Sequence, residues 1–294
     1  MINKVSFGTN FSLGFKIFGK SIGWHMLFTV VAFLAMLAIT YIGGALADSM
    51  VTPDNPWPML GIMTLVMIAI SPLFYGFGYI ADGAYFGKVD FSSAFDGFKN
   101  FLQIVLMSIL LVVLNYLIMG LLAYLILGDV ATEIFQVYAE LLSSNALSDP
   151  YASNETSMRL AQAMQGAFGR LLLFYLVYAL VQMILIFPAY FLAYGKRPFG
   201  EALQLGITNG VRNILPNFFT MVVLIIMIFV MALIGALVIA VFSGVAILAV
   251  ILGFMLYAVI FSLVFSFFQA MYRQMDPQEV NQEGDDLQDI LDVE

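Results

Sequence analysis

Six stretches of the chain are almost purely apolar: residues 24–47, 58–81, 101–127, 170–194, 217–242 and 245–271. Each has the roughly 20 residues that a helix needs to cross about 30 Å of hydrocarbon. The last two are nearly continuous. A single helix from Pro216 to Met271 would run to about 84 Å at 1.5 Å per residue, so the chain must reverse, and Ser243-Gly244 is the predicted turn. The pattern predicts an all-α integral membrane protein of six transmembrane helices.

Ahead of the first, third and fifth spans the pattern becomes amphipathic. Phe11, Phe15, Phe18 and Ile22 recur at helical spacing, as do Phe91, Phe95, Phe98 and Leu102. This predicts short helices that lie in the membrane interface and bend into the bilayer. Two of these segments align. Gly87-Lys88-Val89-Asp90-Phe91-Ser92-Ser93-Ala94-Phe95 matches Gly195-Lys196-Arg197-Pro198-Phe199-Gly200-Glu201-Ala202-Leu203. Each then reaches a basic residue followed by Asn, Lys99-Asn100 and Arg212-Asn213; the N-terminal copy offers Lys20-Ser21. The second and fourth spans carry Pro72 and Pro188, each six or seven residues before a tyrosine, Tyr79 or Tyr194. The expected organisation is three parallel two-helix repeats, about 5–82, 83–194 and 195–272. Together they form one transmembrane domain (1–275), with a long outer loop at 128–169 and a tail at 276–294.

An interfacial segment of this form, a basic-Asn step and then a span, resembles a broad group of bacterial six-helix membrane proteins. That group includes the membrane domain that accompanies some glycerophosphodiester phosphodiesterases. The resemblance covers residues 5–272 and implies a six-helix fold in a bacterial cytoplasmic (inner) membrane. No phosphodiesterase domain lies within these residues, so that activity is not expected to carry over.

Charge sets the orientation. With the N-terminus inside, nine basic residues face the cytoplasm and only Arg159 and Arg170 face out, the asymmetry that fixes topology. Both termini are therefore expected inside. The net charge of −8 belongs to the tail, whose eight acids meet no Lys or Arg, while residues 1–275 balance eleven against eleven. An acidic, disordered, solvating segment is expected there. No basic face for nucleic acid is present in this pattern. Apolar residues make up 62% and charged ones 10%, too few to cover an aqueous core of that size. With no cysteine and one histidine, thiolate chemistry is excluded and a multi-imidazole metal site has no ligands; neither cofactor nor metal is expected.

The candidate functional features are correspondingly few. Lys20, Lys99, Asn100, Arg212 and Asn213 are candidate lipid-headgroup contacts, with the asparagines capping the incoming helices. Pro72 and Pro188 are candidate kinks whose released carbonyls line either packing or a cavity. Ala232, Ala236, Ala240 and Gly244 form a small-residue strip, expected to meet the sixth span. Asn115, Gln182 and Thr40 are expected to bond between helices, and the spans hold no well-buried Asp, Glu, Lys or Arg. His25, at the inner edge beside Trp24, has no nucleophile or second histidine to work with. In the outer loop, Ile134, Val137, Tyr138, Leu141 and Leu142 share one helix face. Asp149-Pro150 ends that helix, and Ser153-Asn154-Glu155 caps the next. The expected function is a non-enzymatic membrane protein that binds lipid or hydrophobic molecules, or assembles with another envelope component. A passive or facilitated transporter is the alternative. The oligomeric state is not readable.

Overall fold

The computed structural model describes residues 5–50, 57–142, 150–242 and 245–276, all helical or in short connections. Helix α1 spans Phe7–Met50 and α2 Trp57–Tyr85. A 3₁₀ helix, Phe91–Asn100, passes directly into α3, Phe101–Leu122, which one π turn prolongs over Ala123–Leu127. Then follow α4 (Asp129–Leu142), α5 (Pro150–Gly166), α6 (Phe168–Leu185) and the short α7 (Phe187–Ala193). The last three are α8 (Phe199–Arg212), α9 (Ile214–Val241) and α10 (Ala246–Met275). Among the described residues six helical stretches are long and apolar enough to cross a membrane: Phe7–Ala45, Thr64–Tyr85, Phe91–Leu127, Phe168–Ala193, Ile214–Val241 and Leu248–Met275. The chain is a multi-pass membrane protein, and the six spans fall where the apolar runs put them. The reversal lies between Val241 and Ala246; Ser243 and Gly244, and the tail beyond Asp276, lie outside the described residues.

Two compact units divide the chain. The first comprises Met1–Leu34, Ser71–Met107 and Met183–Glu294, the second Ala35–Ile70 and Ser108–Gln182. In the second, Leu127, Ala167, Leu171 and Phe174 form a buried cluster against Val130, Ala131 and Ile134, which seats α4. Asn115 Oδ1 accepts from the Tyr178 hydroxyl at 2.7 Å and from Gln182 Nε2 at 2.8 Å, the interhelical bonding expected of Asn115 and Gln182. The helix expected to be capped by Ser153-Asn154-Glu155 is described from Pro150, and the side chains of 153–155 lie outside the description.

Three expectations about the first unit need correction. The segment before the first span is no separate interfacial helix. α1 runs 44 residues without a break, about 66 Å, because Phe11 and Phe15 both contact Phe267, with ring centroids 5.1 and 5.3 Å away. The 3₁₀ helix likewise flows into α3, and only α8 is set off from its span, by Asn213 at φ −106° and ψ 21°. Of the small-residue strip, expected to meet the sixth span, Ala232 is half-buried and Gly244 lies outside the described residues. α9 packs on α10 through Leu224, Ile228 and Met231 and through Gly235, where a Cβ would overlap Leu256. Ala236 and Ala240 are exposed. The α9–α10 seam opens into an apolar groove of about 270 Å³ lined by Met231, Ile234, Gly235, Ile239, Leu252 and Leu256.

The prolines sit inside tight backbone contacts. α2 continues through Pro72, whereas Pro188 begins a new helix, α7, after Leu185. A Cβ at Gly97 would lie 3.1 Å from the Pro72 carbonyl oxygen, and one at Gly206 would overlap the Pro188 backbone. The Ile184 carbonyl, which loses its helical donor to Pro188, lies 3.1 Å from the Cβ that Gly210 lacks. That carbonyl faces helix α8, not an open cavity. Gly206→Ala should therefore lower the melting temperature in detergent, by roughly 1–3 kcal/mol of stability. Gly200→Ala, whose Cβ would meet nothing within 4 Å, should be neutral or stabilising by up to about 1 kcal/mol from helix propensity. Equal responses at the two glycines would refute the close packing of α7 on α8.

Candidate functional site

The polar side chains of the first unit gather at one end of its helices. Asp82, three residues before the end of α2, faces α10. Its Oδ1 accepts from Arg273 Nε at 2.7 Å and from Arg273 Nη2 and Gln269 Nε2. Arg273 is 2% exposed, and its guanidinium carbon lies 4.5 Å from the Phe86 ring centroid, 5.2 Å from Tyr272 and 5.5 Å from Tyr85. A planar, weakly hydrated guanidinium tolerates this aromatic enclosure better than an ammonium would. The apolar runs 58–81 and 245–271 were expected to hold no well-buried charge; Asp82 and Arg273 stand just past them, on the ends of α2 and α10, where they turn inward and pair.

Next to this pair, Tyr272 donates its hydroxyl to Asp276 Oδ2 at 2.9 Å, and Arg197 Nη2 donates to Asp276 Oδ1 at 3.3 Å. Asp276 is 3% exposed, so the tail begins only after it. Tyr79 donates to the Ala193 carbonyl at 2.9 Å, and Tyr194 donates to the Tyr75 carbonyl at 3.0 Å. The two tyrosines tie α2 and the end of α7 reciprocally, with ring centroids 4.9 Å apart. Gly78 is required there, since a Cβ would occupy the Tyr194 hydroxyl. In the same unit His25 is fully buried. Its Nε2 lies 2.8 Å from the Phe77 carbonyl oxygen and its Nδ1 2.7 Å from Ser262 Oγ. A carbonyl can only accept, so Nε2 carries the proton, and the neutral ring accepts from the serine hydroxyl.

A second polar seam pins the start of α1. Val5 N–H donates to Asn213 Oδ1 at 3.1 Å and Ser6 N–H to Gln274 Oε1 at 2.9 Å. Asn10 Nδ2 donates to Thr220 Oγ1 at 2.9 Å, and Asn10 Oδ1 accepts from Gln274 Nε2. These two backbone N–H groups precede α1, whose first turn lacks intrahelical acceptors for them. Asn209, Asn213, Asn217 and Thr220 recur about every four residues and are all buried; Asn213 and Thr220 are the ones that bond the start of α1, while both polar atoms of the Asn217 side chain are without a hydrogen-bond partner. Sequence reasoning missed this stripe, although its spacing was there to read. Asn213 is accordingly corrected as a headgroup contact. It is 1% exposed, donates to the Asn209 carbonyl at 3.1 Å, and makes no side-chain cap on α9.

The remaining predicted contacts stay outside. Lys20, Lys99, Asn100 and Arg212 are exposed, and Lys99 pairs with Asp96 at 2.6 Å. The 3₁₀ helix is capped by Asp90, and because it runs directly into α3 the span has no separate start for Asn100 to cap. Asp90 Oδ1 accepts the Ser92 N–H at 3.0 Å and Oδ2 the Ser92 hydroxyl at 2.7 Å, bonds that hold its carboxyl below the usual range. Among the described residues no three His, Asp or Glu side chains gather as metal ligands. No family model, curated protein or solved structure matches the chain.

The two basic-Asn steps are thus alike in sequence and unlike in environment. Asn213→Ala should destabilise the protein by roughly 1–3 kcal/mol, because it strands the buried Val5 N–H. Asn100→Ala should change stability by less than about 0.5 kcal/mol. Thermal melts of both variants in one detergent test this; a neutral Asn213→Ala would show that the start of α1 is not held by the seam.

Proposed function

We propose that this is a non-enzymatic protein of a bacterial inner membrane, with both termini in the cytoplasm, that engages anionic lipid headgroups through the polar end of its first unit. One observation carries the reading. At the start of three spans an exposed cation stands among exposed apolar side chains: Lys20 between Phe15 and Trp24, Lys99 between Phe98 and Phe101, and Arg212 between Val211 and Leu215. Aromatic rings and cations together favour the headgroup level of a bilayer, where the ring sits at the acyl boundary and the charge reaches phosphate.

Three further features support parallel two-helix repeats. Pro72 lies against Gly97 and Pro188 against Gly206, in each case the end of one pair meeting the segment that opens the next. Phe267 of the last span lies against Gly14, whose Cβ would come within 2.9 Å of that ring. The resemblance to the six-helix group rests on the Phe91 and Phe199 segments, whose aligned alanines, Ala94 and Ala202, are both fully buried. The close backbone contacts at the two prolines favour a packed bundle over a facilitated transporter, which needs room near them.

Each cation close to an anionic leaflet contributes on the order of 1 kcal/mol, so three acting together select anionic lipid. The triple variant Lys20→Gln, Lys99→Gln, Arg212→Gln should still insert in the same orientation, since six inner basic residues remain. It should lose co-purifying phosphatidylglycerol or cardiolipin in lipid mass spectrometry. The same anionic lipids, in the same ratio, on variant and parent would make these cations topology signals and nothing more.

A further inference from the structure

We propose that the His25 imidazole is a proton-binding site fed by a hydrated, buried polar line that opens at Asp82. The line follows one face of α10. Ser262, Ser266, Gln269 and Arg273 stand four, three and four residues apart, neighbours on a helix surface, and all are buried. Together they cover about 16 Å of the helix at 1.5 Å per residue. α1 lies alongside. Ser21 and Ser266 share a hydrogen bond at 3.3 Å, and His25 Nδ1 lies 2.7 Å from Ser262 Oγ, so the two contacts are one turn apart on both helices. Gln269 continues the line to Asp82, to which its amide donates. Among the described residues, Gln269 Oε1 is buried with no hydrogen-bond partner. Buried acceptors are nearly always paired, and one water between Gln269 and the Ser21–Ser266 pair has a proton to donate to each.

The two ends of the line differ. Asp82 keeps 16% of its side chain exposed, so the line meets its surroundings there. Beyond His25 the polar groups stop. The Thr29 hydroxyl turns back on the His25 carbonyl, Ala32 and Ala258 are buried, and Phe33 packs on Phe254. A proton that enters at Asp82 is therefore held at His25 and is not passed on across the bilayer. The bonds of the ring suit that role. The neutral ring donates from Nε2 to the Phe77 carbonyl and accepts the Ser262 hydroxyl at Nδ1. On protonation an N–H bond forms at Nδ1 and the Ser262 O–H bond breaks. Ser262 takes a replacement proton from the water beside Ser266, and solvent at Asp82 supplies the net proton. Both nitrogens then donate, Nε2 to the same carbonyl and Nδ1 to the Ser262 oxygen. The Phe77 ring, its centroid 5.8 Å from that of the imidazole, lies within reach of the cation. On α2 and α10, which supply these partners, the titratable groups are Tyr75, Tyr79, Asp82, Tyr85, Tyr257, Tyr272 and Arg273. None of them bonds the ring, and Asp82 and Arg273 neutralise one another.

His25 is the only histidine in the chain, so nitrogen labelling of the imidazole gives one pair of ring resonances in the full-length protein. In phosphatidylcholine nanodiscs, acidification should move the Nδ1 resonance reversibly to its protonated position while the backbone signals of α10 keep their folded shifts. A ring that stays neutral until the fold is lost overturns the proton site. Water-edited spectra should show magnetisation from water reaching the His25 ring several-fold faster than the Ala258 methyl, one turn beyond Ser262. An equal or slower rate at the ring overturns the hydrated line. Ser21→Ala, Ser266→Ala and Gln269→Met should each slow that transfer several-fold, whereas Thr29→Val, past the end of the line, should leave it unchanged. Parent rates in the first three variants, or an equal loss in Thr29→Val, overturn the path from Asp82. Gln269→Met also removes a donor from Asp82; Ser21→Ala leaves that carboxylate untouched and carries the test if Gln269→Met does not fold.

Discussion

The first unit is organised around one carboxylate in apolar surroundings. Asp82 lies near the end of a membrane-spanning helix, where an uncompensated charge would cost several kcal/mol. It is stable there only because α10 brings Arg273 and Gln269 to it. Arg273 in turn is enclosed by Tyr85, Phe86 and Tyr272, rings on α10, at the end of α2 and in the turn just after it. The charge pair fixes the register of α2 against α10, since moving either helix by one residue would separate the charges. The Tyr79–Tyr194 exchange and the Tyr272–Asp276–Arg197 contacts then tie α7 and the start of the α8 connection to those two helices.

Backbone packing serves the same end. With lipid tails as apolar as leucine, burial gives little drive for helices to associate, and close contact and hydrogen bonds must supply it. Glycine against backbone, at Gly206 on Pro188 and Gly210 on Ile184, provides the first. Asn213, Thr220 and Gln274 provide the second, with Asn213 and Gln274 accepting the two N–H groups ahead of α1 and Thr220 accepting from Asn10. Polar residues in this protein thus act mainly as joints between helices, and the cations left outside the joints are the ones available to a membrane surface.

The spans were legible because twenty apolar residues in a row have one physical use. Their ends were less so. α1 begins at Phe7, well before its apolar run: Phe11 packs on Phe267 of α10, and Phe15 touches the same ring while staying partly exposed. The buried pair was hidden for a related reason: Asp82 and Arg273 each stand next to the boundary of an apolar run, where a charge ordinarily faces water, and only the tertiary fold decides that they face one another. Asn100 and Asn213 show the same limit. Equivalent sequence steps place one on the surface and one in a core, where Asn213 accepts the Val5 N–H ahead of α1. Ala236 and Ala240 are left exposed where the strip was expected to pack, and Gly235, off the strip, makes the close approach to Leu256.

The account stands on the Asp82–Arg273 pair, and a double-mutant cycle on its contribution to stability tests it most directly. Asp82→Asn and Arg273→Met, alone and combined, would be compared by unfolding in one detergent. Each single change is expected to cost roughly 3–5 kcal/mol, because it leaves the other charge buried and unpaired. The double variant should cost clearly less than the sum of the two, with a coupling energy of at least about 2 kcal/mol. Additive losses, or single variants as stable as the parent, would contradict the account and show that these helices are held in register by something other than this pair.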